Sequence, residues 1–283
     1  MKLSGPVLMF FAQAAFIVMV VFVKIAREEL STFEVALWRS IFAIPLLMLM
    51  YRNISWQIRA KKLLLLRTLL GFGALCSFFT AAKGLYVADL SLISRIQPIL
   101  VAVLAPLLIG QAEKASRQLW GLMLMAMVGC SILLAPSLEV GSKYGLFAVL
   151  AAIFSANAHV FIRRLRTEHP GIIVLWFQTG SGILAVFACL LTLGTIPMPP
   201  KHLWLPLAMV SVMATLGQLL MTLAYKRNKA APVALASYAG PLVAVGADVV
   251  AFAVFPTWNV YVGGSIVVLA GILLLRKTHS EEK

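Results

Sequence analysis

Long apolar runs divide almost the whole chain, and they constrain its fold more than any other feature. A membrane-crossing helix needs about 20 apolar residues, and lipid offers no partner for backbone polar groups. Each run is therefore predicted to be a transmembrane helix of an all-α polytopic membrane protein. The ten runs cover residues 4–23, 33–51, 64–83, 88–109, 118–136, 143–162, 171–193, 202–224, 231–253 and 258–276.

The composition agrees with a membrane environment. Of the 283 residues, 61% are hydrophobic and 12% are charged, whereas soluble domains have about half apolar and about a quarter charged residues. The net charge of +14 would fit nucleic acid if the basic residues formed one face, but they fall in short clusters between the apolar runs. We therefore expect a lipid bilayer around the chain and no nucleic-acid partner.

The distribution of Lys and Arg predicts the orientation of the chain. Loops on alternate sides differ in basic residues, and the richer side is expected in the cytoplasm. The richer side holds residues 52–67, 163–166 and 226–229 and both ends of the chain. The poorer side holds Lys24, Arg27, Lys83, Lys143 and Lys201. This predicts a multi-pass protein of the bacterial inner (plasma) membrane with cytoplasmic N- and C-termini.

The two halves of the chain show weak internal similarity. An offset of 143 residues aligns Ala81, Lys83, Ala88, Leu92, Ser94, Pro98 and Gly121 with Ala224, Lys226, Ala231, Leu235, Ser237, Pro241 and Gly264. This predicts two five-helix repeats, residues 1–137 and 138–283. Because five is odd, the second copy would be inverted in the membrane, a plan that places the substrate near the midplane.

Several motifs follow the pattern of a known transporter family. The stretches that carry it are Phe33-Glu34 with Arg39, Ala88-Asp89 with Pro98, and Glu113 with Gly121. With them the chain resembles the drug/metabolite transporter superfamily, in its EamA-type branch, although Pro256 stands where a second glutamate would align. The resemblance implies secondary or facilitated transport of metabolites, often export of amino acids or related compounds, without ATP hydrolysis.

Three charged side chains lie well inside predicted helices, away from both helix ends, where insertion costs at least about 2.5 to 3.5 kcal/mol. Arg39 is a candidate to bind a substrate carboxylate or phosphate, or else it reaches outward or pairs with Glu34 or Asp248. Arg95 either lines the cavity or reaches the interface. Asp248 either couples protons, binds a substrate amine, or forms a salt bridge with Arg39 or Arg95.

Polar and proline residues complete the predicted path. Pro98 and Pro241 are candidate helix breaks, since a proline frees a backbone carbonyl that membrane proteins accept beside a cavity. His159 is a hydrogen-bonding or proton-coupling candidate. Thr215, Gln218, Thr222 and Tyr225 form one polar stripe. The other substrate-binding candidates are Trp38, Gln97, Trp176 and Tyr238, with Gln178 as a further cavity residue.

These features together predict an alternating-access transporter of a small organic metabolite, anionic or zwitterionic, in the export direction. The alternatives are a proton-coupled exporter of lipophilic cations and a lipid translocator. The sequence has no phosphate-binding glycine loop and no hydrolase motif, so no enzymatic activity, cofactor or metal is expected. The oligomeric state is left open.

Overall fold

The computed structural model describes residues 3–53, 58–81, 85, 87–135, 143–252 and 257–281, and these residues form helices joined by short connections. In chain order the helices are α1 (Gly5–Arg27), α2 (Thr32–Met50), α3 (Lys61–Ala81), α4 (Val87–Ser94), α5 (Ile96–Leu108), α6 (Arg117–Leu134), α7 (Lys143–Arg164), α8 (Pro170–Leu193), α9 (Trp204–Arg227), α10 (Ala230–Ala236), α11 (Gly240–Phe252) and α12 (Trp258–Glu281).

Eight apolar segments of the described chain are long enough to cross a membrane, and α4 with α5 counts as one of them. The segment Ala230–Gly246 is also apolar, though shorter. It belongs to α10 and α11, which together take the place of one predicted helix. With α3, whose first two residues are lysines, these segments account for the ten predicted crossings. The all-helical polytopic fold is thus confirmed.

Two predicted helices are not continuous. The predicted helix 88–109 is interrupted at Arg95, and the predicted helix 231–253 is interrupted by a single 3-10 turn, Ser237–Ala239. Pro98 and Pro241 each lie in the first turn of the helix that follows the interruption. Proline suits that position because the first backbone N–H groups of a helix have no partner within it.

The helices pair in a pattern that a duplication explains. If the predicted repeats are equivalent, α1 corresponds to α7 and α3 to α9, and the structure packs α1 against α9 and α3 against α7. The pairs α2–α8 and α6–α12 join equivalent helices directly. Each repeat therefore packs mainly against the other one, and the division at residues 137 and 138 stays a prediction about the sequence.

Close backbone contact holds α6 against α12. A Cβ atom built on Gly129 would lie 2.9 Å from the carbonyl oxygen of Gly263. A Cβ atom built on Gly263 would lie still closer to the carbonyl oxygen of Gly129 on α6. Small residues permit this approach between membrane helices. Large apolar side chains such as Leu107 and Leu191 point outward, whereas many polar side chains are buried, which is the arrangement expected of a bundle surrounded by lipid.

Candidate functional site

The site begins with Arg39 on α2. Ser31 and Glu34 form a reciprocal capping box that starts this helix, and the Ser31 backbone N–H donates to Glu34 Oε2 over 2.7 Å. Glu34 therefore caps the helix and forms no ion pair with Arg39, which was one of the alternatives for that arginine. Arg39 is only 9% exposed, and its Nε and Nη2 groups donate to no described residue.

Arg67 is the second buried arginine, and the sequence interpretation placed it among the cytoplasmic loop charges. That placement is wrong, because Arg67 lies in the second turn of α3 and is 2% exposed. Its Nη2 donates to Gln218 Oε1 over 2.8 Å, while its Nε and Nη1 have no acceptor among the described residues. The signal was available: four leucines precede Arg67 and two follow Thr68, so only Lys61 and Lys62 mark the helix entry.

One aromatic ring joins the two arginines. The guanidinium carbon of Arg67 lies 3.6 Å from the centre of the Phe177 ring, and that of Arg39 lies 5.8 Å from the same centre. Arg39 is near enough for its charge to act on Arg67. We call Arg39, Arg67 and Phe177 the arginine pair site. The arginines come from the first predicted repeat and the phenylalanine comes from the second.

Further buried polar groups lie on the helices that carry Phe177 and Gln218. Gln178 follows Phe177 on α8, is fully buried, and neither its amide nitrogen nor its oxygen has a described partner. The hydroxyl groups of Ser181, Thr215 and Thr222 are also buried without a described partner. An unsatisfied buried polar group costs about 1–3 kcal/mol, so such a concentration is typical of a binding site rather than of a packing core.

The predicted residues His159, Gln97 and Tyr225 form a hydrogen-bonded group. The amide nitrogen of Gln97 lies 2.6 Å from His159 Nδ1, and the Tyr225 hydroxyl lies 3.3 Å from the same atom. If the Gln97 amide donates to Nδ1, the imidazole is neutral with its proton on Nε2. His159 thus has the hydrogen-bonded environment that was one of its two predicted roles.

The two interrupted helices meet at Arg95 and Tyr238, which are equivalent under the repeat offset. Arg95 Nη1 donates to the Ser237 carbonyl oxygen over 2.8 Å, and the Tyr238 hydroxyl donates to the Arg95 carbonyl oxygen over 2.8 Å. Arg95 therefore crosses to the opposite repeat and does not reach the interface. At each interruption a backbone carbonyl oxygen, that of Arg95 or Ser237, accepts a hydrogen bond from a side chain of the other interrupted helix. Discontinuous membrane helices require such partners for their backbone groups.

The two predicted tryptophans have contacts of their own outside the arginine pair site as defined above. Trp38 donates from Nε1 to the Pro197 carbonyl oxygen over 3.4 Å, beyond the end of α8. Trp176 lines an apolar groove of about 320 Å³ between α3 and α8, together with Thr68 and Gly180. Asp248 belongs to α11, but its side chain lies outside the described part of the structure.

A buried ion pair closes one end of the bundle. Arg163 Nε lies 2.8 Å from Glu113 Oε1, and Glu113 Oε2 accepts the backbone N–H of Ala230 over 2.8 Å. Arg163 Nη1 donates to the carbonyl oxygens of Tyr225 and Lys226. The connection before α6, the end of α7, the last turns of α9 and the start of α10 are thereby held together, at the end of the α9 polar stripe where Tyr225 lies.

The bundle of membrane-crossing helices, the interrupted pair at its centre and the buried polar site between its halves define a multi-pass membrane transporter. Comparison with protein-family models then places it more narrowly. The EamA-like transporter family matches residues 3–135 and again residues 142–276. The chain belongs to the EamA-like transporter family, as its resemblance to the drug/metabolite transporter superfamily predicted.

Individual relatives agree with this assignment. The pseudopaline exporter CntI of Pseudomonas aeruginosa is 27% identical over 276 residues, which cover 96% of each chain. An uncharacterized transporter of Helicobacter pylori is 30% identical over 247 residues, 83% of this chain and 82% of that one. A solved crystal structure with 17% identity superposes with a TM-score of 0.81 over 98% of this chain and 99% of the other, which supports the fold.

Proposed function

We propose that this protein exports a small organic metabolite that carries an acidic group, anionic or zwitterionic, by alternating access in the bacterial inner membrane. The observation that carries the proposal is Arg39, a buried guanidinium whose Nε and Nη2 donate to no described residue. These two groups form one edge of the guanidinium, the edge that binds a carboxylate with two parallel hydrogen bonds. A cation would meet repulsion there.

The position of the site between the predicted repeats supports transport. In inverted-repeat transporters the substrate lies near the midplane where the repeats meet, and the two halves rock around it. Arg39 on α2 faces Phe177 on α8, so it lies between helices of opposite repeats. The export direction is supported by the exporter of pseudopaline, which is similar to this chain over nearly its whole length.

The coupling of transport to an ion is a separate part of the proposal. His159 and Asp248 are its two candidate proton carriers, and they lie on α7 and α11. His159 is already hydrogen-bonded to Gln97, so Asp248 is the preferred carrier. If Asp248 couples protons, Asp248→Asn stops accumulation against a gradient while exchange of substrate across the membrane continues.

The proposed function is tested by metabolite profiles, inside and outside cells that overproduce the protein. We expect a carboxylate- or phosphate-bearing compound to redistribute with the native chain and not with Arg39→Gln. Arg164→Gln is the matched control, because Arg164 is an exposed arginine on α7 whose loss leaves the site intact. Both variants should insert and remain monodisperse in detergent. Full export by Arg39→Gln would sink the proposed role of Arg39.

The same profiles separate the alternatives. Redistribution of lipophilic cations alone would favour multidrug export, for which the buried arginines offer no attraction. Movement of lipid probes in vesicles without movement of any metabolite would favour lipid translocation.

A further inference from the structure

The arginine pair site contains two buried positive charges rather than one, and this goes beyond a site for a single acidic group. Both guanidinium groups lie against the ring of Phe177. Neither Arg39 nor Arg67 forms an ion pair with a carboxylate of the residues that the structure describes, in contrast to Arg163, which pairs with Glu113. Two like charges in a medium of low dielectric repel each other and lose their hydration.

The hydrogen-bonding groups of the two arginines are available in different ways. Arg39 offers Nε and Nη2, a full edge for bidentate binding. Arg67 has Nη2 bound to Gln218, and it offers Nε and Nη1. Its guanidinium stacks on Phe177 at 3.6 Å, and this contact together with the Gln218 bond fixes its plane. Arg67 is thus a preoriented second donor and not a duplicate of the first.

We propose that the substrate carries two ionised acidic groups, of which one binds Arg39 and the other binds Arg67. This rests on the proposed function and narrows its substrate class to small organic acids with two carboxylates, or with a carboxylate and a phosphate. A substrate with one negative charge would leave one buried guanidinium uncompensated, whereas a dianion neutralises both.

The experiment compares exported compounds among cells that produce the native chain, Arg39→Gln, Arg67→Gln and the exposed control Arg164→Gln. We expect the compounds whose export requires Arg39 to bear two groups that are ionised at pH 7. Arg67→Gln should lower their export rate at low concentration by roughly 10- to 100-fold, the loss of a charge-assisted hydrogen bond. Arg164→Gln should export them at the native rate.

The purified protein is then reconstituted in liposomes. Its transport of the exported compound is compared with its transport of an analogue in which one carboxylate is replaced by the neutral amide. The native chain should transport the parent compound faster than the amide, and Arg67→Gln should reduce that preference. Because Arg67→Gln removes an uncompensated charge, the ligand-free variant should unfold at or above the native temperature. Arg67→Lys keeps the charge and should retain more of the preference for the parent compound over the amide. It replaces Arg67→Gln in the experiment if the glutamine variant does not fold.

The outcomes separate the two proposals. If the exported compounds carry a single acidic group, or if Arg67→Gln exports at the native rate while Arg39→Gln does not, the acidic-metabolite function stands and the two-charge inference is overturned. If no acidic compound redistributes with the native chain, the proposed function fails and the inference fails with it.

Discussion

Glu113 is the residue on which the closed end of the bundle most depends. It is 4% exposed, and both carboxylate oxygens are used, one by Arg163 and the other by the backbone N–H of Ala230. Burying such a pair has a desolvation cost, but removing one partner leaves the other charged and uncompensated. The pair therefore matters to stability mainly through what its loss would leave behind.

We expect Glu113→Gln to destabilise the protein by about 3–5 kcal/mol, the usual cost of breaking a buried ion pair. Glu29→Gln is the matched control, because Glu29 pairs with His202 over 2.7 Å while its side chain is 50% exposed, and exposed pairs contribute about 0–1 kcal/mol. Thermal unfolding in detergent measures both. Equal unfolding temperatures for the two variants would show that the buried pair does not support this end of the bundle.

At this scale the sequence located some site residues and missed others for physical reasons. Arg39 stood out because apolar residues surround it on both sides in the sequence. Arg67 fell within the predicted helix 64–83 but was counted with the cytoplasmic charges that precede it, because a charge count cannot tell a helix entry from a residue one turn inside. The pairing of both arginines on Phe177 depends on α3 and α8 meeting, which no local pattern encodes.

At the scale of elements, the interrupted helices α4–α5 and α10–α11 show how a proline acts. The sequence predicted a disturbance at Pro98 and Pro241, but it did not predict that each interruption lies before the proline. A proline fits the first turn of a helix, and because it has no N–H it cannot donate to the carbonyl oxygen four residues earlier. Those residues are Ser94 and Ser237, and each lies where the preceding helical segment ends. The crossing of the two interruptions arises only from tertiary packing, in which Arg95 donates to the Ser237 carbonyl oxygen and the Tyr238 hydroxyl donates to the Arg95 carbonyl oxygen.

We expect Tyr238→Phe to destabilise the protein by about 0.5–1.5 kcal/mol, the usual net contribution of one hydrogen bond, because the Arg95 carbonyl oxygen would lose the bond from the Tyr238 hydroxyl. Tyr261→Phe is the matched control, since Tyr261 is a tyrosine on α12 that is 63% exposed. Unfolding temperature in detergent and export rate are measured for both. An unchanged unfolding temperature for Tyr238→Phe would mean that the crossing is not held by this bond.

At the scale of the whole molecule, contacts between connections show which segments share a membrane face. Arg227 donates to the Leu3 carbonyl oxygen over 2.7 Å, and Lys226 donates to the Glu168 carbonyl oxygen over 3.1 Å. The chain start and the connections after α7 and α9 therefore lie together. The Glu29–His202 pair joins the connections after α1 and before α9, at the other end of α1. The structure thus groups the loops, and the charge distribution predicts which group is cytoplasmic.

Cysteine labelling in a chain whose three native cysteines are replaced by alanine tests this orientation. Arg166 and Lys201 are both exposed and belong to opposite groups of connections. Because basic loops remain in the cytoplasm, a membrane-impermeant maleimide added to intact spheroplasts should label Lys201→Cys at once and Arg166→Cys only after the membrane is permeabilised. The reverse order would invert the predicted orientation and place the closed Glu113–Arg163 end outside. Arg166 precedes α8 and Lys201 follows it, and α8 is long enough to cross the membrane once. Labelling of both positions from one side would therefore contradict the grouping of the loops.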